Sequence, residues 1–165
     1  MFLSIATLLL FVSQCNIVQS DANLIQQICK RTPNFNICVT SLQSDPKSST
    51  ADINGLALIM VGVLKAKSTS TLNLINQKLK ESPALKQPLT SCASKYNAIL
   101  TGDIPQATEA LQKGNPKFAE SGANDAALEA DLCEGGFKGS SPITASNKLV
   151  HDISVVTAAI VRNLL

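Results

Sequence analysis

Cysteines, one histidine and a scatter of carboxylates are the residues here whose types can do chemistry. Cys29, Cys38, Cys92 and Cys133 lie in the body of the chain, and Cys15 lies in its apolar start. Four thiolates can hold zinc, but structural zinc sites use closely spaced cysteine pairs, and these spacings contain none. The single histidine, His151, precedes Asp152. Adjacent helical residues point in different directions, so the two are expected not to form a dyad, and His151 reads as a partly exposed residue beside a core stripe. Glu129, Asp131 and Glu134 read as a solvated helix face. The sequence has no HExxH, no G-x-S-x-G and no phosphate-binding glycine loop. It has no Asn-x-Ser/Thr sequon, so N-glycosylation is not expected. These residues point to no catalysis, no cofactor and no metal site.

The elements that position them begin with an export signal. Met1–Ser20 carries no charged side chain, and Phe2 to Val12 is almost wholly apolar. That run is too short for the ~20 residues that span a bilayer. Val18 and Ser20 are small enough for a cleavage site, which places the mature start at Asp21. Secretion follows as an expectation, and with it an oxidising environment for the cysteines. With no sorting extension after Leu165, the expected destination is the cell exterior, the vacuole being the alternative.

Removal of that leader, taken as residues 1–20, leaves 145 of 165 residues as one domain at 21–165, enough to bury a core. Net charge is +2, too mild and too evenly spread for nucleic acid or a membrane surface. Trp is absent and aromatics are 4%, so the core must be Leu, Ile, Val and Ala, a composition suited to helices. Cleavage discards Cys15 and leaves four cysteines, with three possible pairings. On one continuous helix Cys29 and Cys38 would lie about 13 Å apart along the axis. A disulfide needs Cα atoms within roughly 7 Å. Thr32-Pro33-Asn34 supplies the necessary reversal. The spacing therefore favours Cys29–Cys38 closing a small helical hairpin, with Cys92–Cys133 tying two later helices together.

Periodicity places helices over about 21–31 and 35–42, then a linker at Asp45-Pro46-Lys47-Ser48-Ser49. A long helix follows, with Ile53, Leu56, Ala57, Met60, Val63 and Leu64 recurring at threes and fours and Leu74, Ile75 and Leu79 resuming the stripe. Ser68-Thr69-Ser70-Thr71 is a polar patch on it. Ser82-Pro83 ends it, and the next helix begins at Leu85. At Asp103-Ile104-Pro105-Gln106 the pattern is a capping box with proline in the first turn, so a kinked continuation to Lys113 is expected. Gly114 suits a helix C-terminus, Asn115 an N-cap and Pro116 the first position of a helix running to about Glu134, loosened around Ser121-Gly122. Ser141-Pro142 repeats the cap-then-proline start before the last stripe, Ala145 to Leu164. Four long amphipathic segments read as an all-α, up-down-up-down four-helix bundle over 50–165, preceded by the hairpin at 21–46.

The segments Cys29-Lys30-Arg31-Thr32-Pro33-Asn34-Phe35, Leu56-Ala57-Leu58-Ile59-Met60, Gly114-Asn115-Pro116-Lys117-Phe118-Ala119 and Ala159-Ile160-Val161-Arg162-Asn163-Leu164-Leu165, in this cysteine frame, closely resemble plant invertase inhibitors of the invertase and pectin methylesterase inhibitor family. The resemblance implies the hairpin-plus-bundle fold and disulfides Cys29–Cys38 and Cys92–Cys133. It implies a protein inhibitor of a plant cell-wall or vacuolar enzyme, without catalysis of its own. It further implies that Pro116, Lys117 and Phe118 form the inhibitory contact, entering the sucrose cleft of an acid invertase in a 1:1 complex. Such clefts carry paired acidic residues, to which a lysine ammonium can donate. Pectin methylesterase, bound across its pectin groove by a bundle face, is the alternative target.

Overall fold

A computed structural model describes residues 23–165; the expected leader Met1–Ser20, Cys15 and the start at Asp21 lie outside these. Helix α1 covers 23–29, and α2 covers Phe35–Gln43. Between them Thr32 Oγ1 donates to the Cys29 carbonyl at 2.8 Å, and the Asn34 side chain caps α2 by accepting from the Ile37 amide at 3.1 Å. The reversal brings Cys29 and Cys38 to a Cα separation of 5.5 Å, and the two are bridged. The expected linker is itself ordered as a 3-10 turn, Pro46–Thr50, which Asp45 caps by accepting from the Lys47 amide.

Helix α3 runs unbroken over Ile53–Glu81, started by Asp52, whose side chain accepts from the Gly55 amide at 2.7 Å. It survives the Ser-Thr run because the hydroxyls of Thr69, Ser70 and Thr71 each donate to the carbonyl four residues back, so they do not compete for its amides. Ser68 and Thr71 face the core, so the polar patch is only half exposed. A 3-10 turn, Pro83–Leu85, leads into α4, Lys86–Ala98.

The capping box expected at Asp103 does not form. The chain instead stays helical through a π-turn, Ile99–Asp103, into α5, Ile104–Gln112, and the Asp103 side chain caps nothing. Pro105 accounts for the π-turn, and the packing of this stretch on α6 for the absence of a break. Proline offers no N–H, and its ring would strike the carbonyl four residues back; the wider π-turn absorbs both defects without ending the helix. Helix α6, Pro116–Gly135, is likewise continuous where loosening was expected at Ser121-Gly122. Helix α7 covers Thr144–Val161, and a 3-10 turn over Arg162–Leu164 extends it. It starts two residues past Pro142, because Ser141 Oγ accepts from the Ile143 amide and holds that stretch as a turn.

Four rods, α3, α4–α5, α6 and α7, alternate in direction, and α7 returns to pack on α3, closing an up-down-up-down bundle with the hairpin against α3 and α7. The core is aliphatic, with Tyr96 as the one aromatic among its largest fully buried side chains. Apart from Glu120, the buried residues of α6 are small: Ala119, Gly122, Ala123, Ala126, Ala127, Ala130 and Cys133. Its neighbours therefore approach closely, and Cys133 bridges to Cys92 of α4. A buried polar chain crosses the bundle. Tyr96 Oη donates to Asn147 Oδ1 at 2.7 Å, and Asn147 Nδ2 donates to the Ala130 carbonyl at 2.9 Å and to Glu134 at 3.2 Å.

Candidate functional site

The turn between α5 and α6 is fixed by backbone geometry. Gly114 takes the left-handed conformation, φ 71°, which residues with a side chain rarely adopt. Its amide bonds to the Leu111 carbonyl, and the Asn115 amide to that of Ala110 at 2.8 Å, which satisfies the last carbonyls of α5 in a Schellman arrangement. Pro116 then opens α6, where a missing N–H costs nothing. Asn115 was expected to cap α6 with its side chain and does not; its carbonyl accepts from the Phe118 amide at 3.1 Å instead. Gln106, expected to return to Asp103, reaches across the turn and donates to the Phe118 carbonyl at 3.3 Å.

This turn presents Pro116 half-buried and Lys117 and Phe118 outward. Phe118 is 62% exposed, the second largest exposure among the big apolar side chains of the described residues. An open groove of about 550 Å³ lies beside it, lined by Gln106, Glu109, Ala110, Lys113, Asn115 and Phe118. The Lys117 side chain is 74% exposed, yet its ammonium is held, donating to Glu120 Oε2 at 2.8 Å. Glu120 is buried at 9% side-chain exposure, and its other oxygen accepts from Arg162 Nε at 2.6 Å. The hydrogen bonds from Lys117 and then Arg162 hold the Glu120 carboxyl below the usual carboxylate range, outweighing its burial. Asn163, next in sequence, accepts from Arg31 Nη1 at 3.0 Å, so the hairpin, the end of α7 and the start of α6 meet at one end of the bundle.

The remaining titratable residues sit elsewhere. His151 does contact its neighbour, with Nδ1 3.3 Å from Asp152 Oδ1, contrary to expectation, and Nε2 lies 3.6 Å from Asp131. The Asp152 carboxyl is pushed up by burial but lies below its usual range on balance, because Lys148 and His151 hydrogen-bond to it. Of the acidic residues read as a solvated face, Asp131 is exposed as expected, whereas Glu129 pairs with Lys95 and Glu134 accepts from Thr144 and Asn147. Asp103 is different. One of its oxygens is buried without a partner, and burial, with Asp125 and Glu129 nearby, pushes its carboxyl up to about 6.

The family description "plant invertase/pectin methylesterase inhibitor" matches residues 23–161. The chain belongs to that family. It is 50% identical over 141 residues to the cell wall / vacuolar inhibitor of fructosidase 1 of Arabidopsis thaliana, covering 86% of this chain and 69% of that one. The pectinesterase inhibitor of Actinidia deliciosa is 29% identical, over 84% of this chain and 77% of its own. A crystal structure of a mutant form of a pectin methylesterase inhibitor from Arabidopsis superposes with TM-score 0.72 at 21% identity, covering 84% of this chain and 95% of that one, a likeness of fold. Family members of this kind are inhibitor proteins and not enzymes, and the helical bundle of this chain shares the fold of a pectin methylesterase inhibitor.

Proposed function

We propose that this protein is an inhibitor of plant acid invertase that places Lys117 and Phe118 in the enzyme's sucrose cleft. The observation that carries the reading is the turn at Gly114–Phe118. It sets a cation and an aromatic ring side by side in solvent on a backbone with its terminal carbonyls satisfied, so little ordering is left for binding to complete. Glycoside hydrolases flank the scissile bond with two carboxyl groups. The ammonium has donors to spare for them, Phe118 can exclude water, and Pro116 fixes the approach. The inhibitor breaks no bond; it occupies the space sucrose needs. Likeness to an inhibitor of fructosidase at half identity supports invertase over pectin methylesterase as the target. The reading includes a 1:1 complex, secretion and residence in the cell wall, and the two disulfides fit an oxidising compartment.

The test is a paired assay of the oxidised mature chain against a purified acid invertase and a pectin methylesterase. Invertase should be inhibited in competition with sucrose, and the esterase poorly. Lys117→Ala removes a charge the cleft carboxylates would pair with, a loss of about 2–5 kcal/mol, or on the order of thirty- to several-thousand-fold in affinity. Lys113→Ala, whose partner Glu109 is equally exposed, should change it little. Inhibition that persists at saturating sucrose, or a Lys117→Ala variant as potent as the parent, refutes the cleft reading.

A further inference from the structure

Lys117 does not face solvent as an independent charge. It shares Glu120 with Arg162, one cation on each carboxylate oxygen, and the Glu120 side chain is 9% exposed against 74% for Lys117 and 54% for Arg162. Lys117 and Glu120 alone would form a neutral pair. Its anion would hold back the ammonium and repel any partner carboxylate, and separating the two would leave a buried charge uncompensated. Arg162 changes that balance. The trio carries one net positive charge, and Glu120 stays paired through Arg162 whatever the ammonium does. Among the described residues Nε is the one engaged atom of the Arg162 guanidinium, so its terminal N–H groups remain as donors beside the Lys117 ammonium without adding to that single net charge.

We propose that Arg162 is a positioning residue of the inhibitory turn: by neutralising Glu120 it frees the Lys117 ammonium for the carboxylates of an acidic cleft. The inference rests on the reading of Lys117 as the residue that enters such a cleft. Arg162 lies 42 residues from Glu120 at the far end of α7, so the last turn of the bundle sets the charge of the contact.

Inhibition of sucrose hydrolysis by a purified acid invertase tests this with the full mature chain and four variants: K117A, R162A, E120Q and E120Q/R162A, each also melted thermally. R162A should weaken inhibition by about tenfold or more, because Lys117 is then claimed by Glu120 alone. E120Q/R162A removes the competing anion as well, and its inhibition should return to within about threefold of the parent. It restores no tie between α6 and α7, so a gain in inhibition without a gain in melting temperature separates the electrostatic role from a structural one. E120Q should inhibit at least as well as R162A does. An R162A protein as potent as the parent, beside an inactive K117A, overturns this inference alone. A double variant as weak as R162A also overturns it and assigns Arg162 to seating α7. A fully potent K117A overturns the cleft reading and this inference together.

Discussion

Gly122 and Gly62 both lie inside helices, and the same substitution should act on them with opposite sign. Replacing glycine by alanine in a helix interior is favourable by about 1 kcal/mol when nothing else changes. At Gly62 a Cβ meets nothing within 4 Å, so Gly62→Ala should stabilise by about 0.5–1 kcal/mol. At Gly122 a Cβ would lie 2.6 Å from the Asp103 carbonyl oxygen and 3.3 Å from the Cβ and amide of Ala107. The first of these atoms is backbone in the π-turn, which cannot swing aside as a side chain can. Overpacking of this kind costs about 1–3 kcal/mol, and the carbonyl contact places Gly122→Ala toward the upper end. After the propensity gain, a net loss of about 1–2 kcal/mol remains. At 2–4 °C per kcal/mol for a chain of this size, the two variants should melt roughly 3–12 °C apart, on opposite sides of the parent. Thermal unfolding of the oxidised proteins by circular dichroism reads the difference. Gly122→Ala should also inhibit less well, because the displaced helix carries Lys117 in its first turn. A Gly122→Ala protein that melts at or above the parent would refute the account of the π-turn and of the closeness of α6.

Asp103 gives a pH prediction. Its folded carboxyl titrates at about 6 against an ordinary 3.8, so the native state holds the proton more tightly and stability falls as pH rises through that window. Asp103→Asn should therefore stabilise at pH 7, by about 1–2 kcal/mol after allowance for partial exposure, and the gain should vanish near pH 4 in paired melts. Asn147→Ala should cost about 1–3 kcal/mol in denaturant unfolding, since it strands the buried Tyr96 hydroxyl. Tyr96→Phe, which leaves Asn147 its other two contacts, should cost about 1 kcal/mol.

Where backbone demands are residue-specific, the sequence was readable. Gly114 and Pro116 each fit few conformations, and together they fixed the turn that carries Lys117 and Phe118. The long apolar stripes of α3 and α7 located those helices, though not the inward side of the Ser68–Thr71 patch. Asp103-Ile104-Pro105-Gln106 is ambiguous because one string suits both a capped start and a proline accommodated by a π-turn. What decides between them is the continued packing of α5 on α6, where Gly122 makes room, and that is not local. The role of Glu120 is hidden in the sequence for the same reason. Its spacing to Lys117 is visible on the helix, but its burial and its second cation come from α7. The Tyr96–Asn147 bond, between residues 51 apart, left no pattern at all. His151 and Asp152 meet despite their adjacency because two side chains can lean together from neighbouring positions, which a rule about helix faces does not exclude.

The bridge between Cys92 and Cys133 spans 41 residues and joins two rods at the end of the bundle remote from the turn at Gly114. Residues 114–118 sit close to the midpoint of that span. In the proposed complex the segment that meets the enzyme is therefore the apex of a closed covalent ring. Exposed turns are preferred sites of proteolytic nicking, but one broken peptide bond here opens the ring without dividing the molecule. The severed ends stay tethered at high effective concentration, each on a helix still packed in the bundle. The bridge that fastens α4 to α6 thus also decides what a single cut can do, leaving a nicked inhibitor as one particle with its lysine on the same rod as before.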